Sequence, residues 1–73
     1  MKDDEALYQD IVYELNWEPS VCARDIKVKV RNGTVYLTGY VHSLFESLIA
    51  QTVARQMKGV KQVMSQLAIR SEN

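Results

Sequence analysis

Ile26-Lys27-Val28-Lys29-Val30-Arg31-Asn32-Gly33-Thr34-Val35-Tyr36-Leu37-Thr38 is the stretch that decides the fold. Apolar and polar residues alternate through 26–31, break at Asn32-Gly33 and alternate again through 34–38, the pattern of two half-buried strands joined by a two-residue loop. A type I′ loop needs positive φ at both central positions, and asparagine followed by glycine tolerates this best. Valine at position 33 is therefore expected to cost stability. The turn sets the register. Val30 faces Val35 and Val28 faces Leu37 on one side, while Arg31 faces Thr34, Lys29 faces Tyr36 and Lys27 faces Thr38 on the other. Gly39, opposite Ile26, is expected to relieve close packing against a helix on the apolar side.

Upstream, Leu7, Ile11 and Leu15 recur every four residues with Tyr8 and Val12 beside them, so a helix over about 4–16 should carry all five on one face. Asp3 or Asp4 can cap it, and Pro19 stops it. Trp17, just past its end, is expected to bury against this helix, the alternative being an outward interface anchor. Downstream, Ser43-Leu44-Phe45-Glu46 reads as a capping box, serine to the N3 amide and glutamate back to the cap, opening a second helix that should end at Gly59. Glu46, Ile49, Ala50, Val53, Ala54 and Met57 share the side that packs on the sheet. Leu44 and Leu48 lie opposite, with Phe45 near the boundary. A third strand follows from about Gln62 to Arg70, with Val63, Leu67 and Ile69 inward and Ser65 the weak position. The order is helix, strand, strand, helix, strand.

The 73 residues are 47% hydrophobic and 25% charged, ordinary globular composition, and read as one domain over 1–73 with a core of about 4–70. A chain this short buries only about 60% of the surface it exposes unfolded, which leaves little room for a deep catalytic cleft. A lone cysteine, Cys22, excludes an internal disulfide and is expected to be packed and chemically quiet. His42 is the lone histidine, so no His/Cys metal cluster can form within one chain, and the glycines show no phosphate-cradling pattern. A Cys22–His42 nucleophile pair is conceivable, but nothing local supports it. No enzyme activity, metal or cofactor is expected.

The charges cancel overall but are segregated. Residues 1–23 set Asp3, Asp4, Glu5, Asp10, Glu14 and Glu18 against Lys2 alone, whereas over 24–70 eight cations oppose only Asp25 and Glu46. Acids at a helix start and lysines on a solvated strand explain much of this. The strand face away from the helices would nevertheless present Lys27, Lys29, Arg31 and Tyr36, with Arg70 if the third strand joins the same sheet. This is a candidate surface for anionic lipid or single-stranded nucleic acid. Leu44, Phe45 and Leu48 form a second candidate, an apolar contact patch for a protein partner, a homodimer or a membrane interface.

Taken together, Ile26 to Val41 with its Asn32-Gly33 turn, then Ser43, Glu46, Ala50 and Ala54, then Gly59-Val60 and Val63, resemble the BON domain, named for bacterial osmotically inducible and nodulation proteins. The resemblance spans nearly the whole chain. It implies an α+β fold, a two-layer α-β-β-α-β sandwich whose mixed three-stranded sheet carries both helices on one face. The third strand would run parallel to the second through a right-handed crossover. It also implies a non-catalytic binding role at phospholipid membranes or other envelope components, in a stress or osmotic response. The alternative expectation is a protein-interaction or dimerisation domain using the patch on the second helix. Nucleic acid ranks behind both, since a net charge of zero is unlike most nucleic-acid binders. No apolar run is long enough to span a bilayer, and the opening Met1-Lys2-Asp3-Asp4-Glu5 is not a secretory leader, so a cytoplasmic setting is expected as the chain stands, and a periplasmic one if it is an excised domain.

Overall fold

The hairpin forms as its turn chemistry requires: Asn32 has φ +50° and Gly33 φ +82°. In the computed structural model, which describes residues 3–70, it joins β1 (Ile26–Arg31) to β2 (Thr34–Val41). All five side-chain pairings expected of it are present, and Ile26 lies opposite Gly39. An N-terminal helix α1 (Asp4–Trp17) and one turn of 3-10 helix (Ala23–Asp25) precede the hairpin. A second helix α2 (Leu44–Arg55) and strand β3 (Gln62–Ile69) follow it. The strand order is β1-β2-β3, with β2 antiparallel to β1 and parallel to β3.

Both helices cover one face of this mixed sheet. Leu7, Ile11 and Leu15 of α1 and Ala50 and Ala54 of α2 share a core with Val35 and Leu37 of the central strand. Burying side chains of this size is worth roughly 1.5–3 kcal/mol each at most, so this cluster is the main support of a chain without a disulfide. Asp3 is the α1 cap, its carboxylate accepting from the Ala6 N–H at 2.8 Å. Asp4 instead reaches across to the hairpin, where its oxygens accept from the N–H groups of Asn32 at 2.9 Å and Gly33 at 3.3 Å. One acid starts the helix and the next holds the turn.

Several expectations are corrected. Gly39, at φ +111°, makes room for main chain and not for α1 or α2: a Cβ there would collide with the main-chain oxygen of Asp25, the last residue of the 3-10 turn that leads into β1. Helix α2 ends at Arg55 rather than at Gly59. The Met57 N–H bonds to the Ala54 carbonyl three residues back, tightening the chain so that Met57 packs on the core, and Gly59 takes the left-handed step at φ +102°. Ser43 caps α2 as expected, accepting from the Glu46 N–H at 3.1 Å, but the Glu46 carboxylate passes over the cap and takes the N–H of His42. Ile69 is 51% exposed although its strand partner Val41 is 1% exposed, because the last residue of an edge strand has a neighbour on one side only. Tyr8 sits on the flank of the α1 stripe, partly exposed beside Val28 and Val30.

Candidate binding surface

Period-two alternation in three strands builds one uninterrupted outer face, opposite both helices. Its rows follow from the register: Arg31, Thr34 and Gln62; Lys29, Tyr36 and Met64; Lys27, Thr38 and Gln66; then Tyr40 and Ala68. Lys27, Lys29 and Arg31 are all exposed on β1, and Tyr36 and Tyr40 on β2. Arg70 follows β3 directly. Its N–H donates to the Val41 carbonyl at 2.7 Å, and its guanidinium lies 3.9 Å from the centre of the Tyr40 ring. A cation over an aromatic face is held by the ring quadrupole and gives up little hydration, so Arg70 keeps its charge available to solvent.

The five residues expected on this face therefore share it, at two separated places. Lys27, Lys29, Arg31 and Tyr36 are contiguous through the β1–β2 register, and Arg70 stands at the opposite end of the sheet with Tyr40. Tyr40 and Met64 belong to the surface and were not singled out from sequence, although the alternation that selects Tyr36 selects both. None of these rows contains an aspartate or glutamate. Such a face repels cations and attracts anions over distances near the Debye length, about 8 Å at physiological salt.

The second candidate, Leu44, Phe45 and Leu48, occupies the first turns of α2, and each of these side chains is more than half exposed. Trp17 corrects its expectation. It is the last residue of α1 and 70% exposed, its ring 6.1 Å from that of Tyr13, because the helix turns this position away from the Leu7, Ile11 and Leu15 stripe.

Among the described residues, Glu46 is the one buried carboxylate, 6% exposed. One oxygen accepts from the Cys22 N–H at 2.8 Å and the other from the His42 N–H at 2.7 Å, with His42 Nδ1 3.2 Å away. Burial, the largest single influence, opposes ionisation, but the N–H groups of His42 and Cys22 and the imidazole together outweigh it and hold the carboxyl below its ordinary value. Cys22 and His42 thus meet at one carboxylate, each through its main chain. This arrangement clasps the loop before β1 to the start of α2. It is an anchor between main-chain groups.

Among the described residues, no group of three His, Cys, Asp or Glu side chains is placed to hold a metal ion, and no helix is long and apolar enough to cross a membrane. A depression lined by Asp4, Glu5, Tyr8, Val28, Lys29 and Val30 is wide open to solvent. Compared with known families, residues 3–71 match the model of the BON domain. Comparison with curated proteins finds no match.

Proposed function

Because the chain belongs to the BON domain family, a family of non-catalytic binding domains implicated in envelope and osmotic-stress proteins, we propose that it attaches to anionic phospholipid membranes through the uncovered face of its sheet. The observation that carries this reading is the single sign of that face: Lys27, Lys29, Arg31 and Arg70 stand with Tyr36 and Tyr40 and no acid among them. Each cation near an anionic bilayer contributes on the order of 1 kcal/mol, and tyrosine rings suit the headgroup layer. Asp10 and Glu14 belong to α1 in the helical layer, which helps to orient the molecule on a negative surface, while Asp4 and Glu5 line the depression beside Lys29 at the edge of the basic face.

A rival reading rests on the exposed Leu44, Phe45 and Leu48, which would serve a protein partner instead. Co-sedimentation with vesicles of anionic and of zwitterionic phospholipid separates the two. The membrane reading expects binding to anionic vesicles that falls as salt rises. It also expects binding to be lost in the triple variant Lys27→Glu, Lys29→Glu, Arg31→Glu and kept in the double variant Leu44→Asp, Leu48→Asp. If the parent ignores anionic vesicles at low salt, the membrane reading is wrong.

A further inference from the structure

The two edges of the sheet are defended differently. β1 carries Lys27, Lys29 and Arg31 within six residues, the charged pattern that discourages a second strand from pairing. β3 has eight residues, Gln62-Val63-Met64-Ser65-Gln66-Leu67-Ala68-Ile69, with no charge, no proline and no glycine. It is bonded to β2 on one side, and among the described residues no segment of the chain pairs with the other. Although α2 packs on β3, Val63, Ser65 and Leu67 are only half-buried where Val35, Leu37 and Val41 of β2 are covered, and Ile69 is exposed. At the same end of the molecule, three residues beyond the Val41 that pairs with Ile69, α2 begins with the exposed Leu44, Phe45 and Leu48.

We propose that the outer edge of β3 pairs antiparallel with β3 of a second copy of this chain, forming a two-fold dimer with one continuous sheet. A second copy fits because an uncharged strand can face itself. A two-fold at β1 would set lysines and arginine against their own kind, whereas at β3 no like charges meet, and the chain's net charge of zero adds no overall repulsion. Alternation fixes where the axis passes. Residues directly opposite must point to the same face, so the two-fold falls on a residue and not between two. With Gln66 on the axis, Ser65 faces Leu67 of the other copy and Val63 faces Ile69, which covers the side chain left exposed in the single chain. Because the axis is perpendicular to the sheet, both basic faces end on the same side, and both helical layers on the other.

The pairing does not depend on the lipid reading and is tested without lipid, by sedimentation equilibrium of the 73-residue chain from micromolar to millimolar concentration. A monomer–dimer equilibrium is expected. Gln66→Lys puts two like charges opposite one another on the axis and should weaken it roughly fivefold. Because residue 66 is exposed on the outer face, the variant's melting temperature should stay near the parent's. Amide hydrogen exchange on the parent gives an independent readout: protection of β3 should rise with concentration while that of β1 does not. A chain that stays monomeric throughout, or a dimer that Gln66→Lys leaves intact and Leu44→Asp, Leu48→Asp dissolves, overturns the proposal.

Discussion

The two faces of the sheet are built from the same strands and obey opposite rules. Toward the helices, Val35, Leu37 and Val41 are almost wholly covered and meet Leu7, Ile11, Leu15, Ala50 and Ala54 in one close-packed core. Away from them, Lys27, Lys29, Arg31, Tyr36 and Tyr40 stand exposed, with Arg70 over the Tyr40 ring and no helix covering them. The first face is over-determined, since any change of register would carry its whole apolar set to water. The second is free of that demand, and its uniform positive sign serves both to guard the β1 edge and, in the membrane reading, to bind. Stability and binding are thus divided between faces, and substitutions should separate them cleanly.

The largest effect is expected at Gly39. An alanine Cβ would collide with the Asp25 main-chain oxygen at a φ that side chains rarely adopt, and Gly39→Ala should lose at least about 3 kcal/mol. Denaturant unfolding measures this, and a near-neutral result would show that the entry to β1 is not held as described. Gly33→Val follows at about 2 kcal/mol: it forces a β-branched residue to φ +82° and brings its Cβ to 3.0 Å from Lys61 Cγ. A melting temperature within a degree or so of the parent's would break the turn assignment and with it the division into two faces.

Glu46→Ala should cost about 2 kcal/mol, because the Cys22 and His42 N–H groups lose their acceptor. Its ionisation also gives a pH test. The folded carboxyl titrates below the unfolded one, so its contribution is complete above the ordinary carboxylate range and is lost as pH falls from there through the depressed folded value. Stability of the parent measured across that acid range should decline more steeply than that of Glu46→Gln, and equal slopes would remove Glu46 from the account. The smallest effect on stability is expected from Lys27→Glu, Lys29→Glu, Arg31→Glu, within about 1 kcal/mol because all three side chains are exposed. A large loss there would mean that the two faces are not separable.

What was legible in the sequence follows the same division. The β1–β2 register could be read because Val28, Val30, Val35 and Leu37 repeat on a period of two around a turn with one geometry. Burial of Ala50 and Ala54 could be read because helical spacing puts both on the inner side of α2. The work of Glu46 could not, since its N–H partners at positions 22 and 42 come together only once the loop before β1 and the start of α2 are in place. The reason for Gly39 was hidden similarly, because the Asp25 oxygen it must clear belongs to another element. Trp17 misled because a large aromatic suggests burial, while its place two residues beyond Leu15, about 200° around the helix, turns it outward. On the open face, the charged β1 drew the reading toward Lys27, Lys29 and Arg31, and the uncharged β3 concealed how far the surface extends.

The most direct test of the central claim, that the uncovered sheet face is the binding surface, is to map amide and side-chain chemical shifts of the protein on adding nanodiscs of anionic phospholipid at low salt. The account predicts changes concentrated at Lys27, Lys29, Arg31, Tyr36, Tyr40 and Arg70, with the core around Leu37 unmoved. Changes concentrated instead at Tyr13 and Trp17 of α1, or at Leu44, Phe45 and Leu48 of α2, would contradict it.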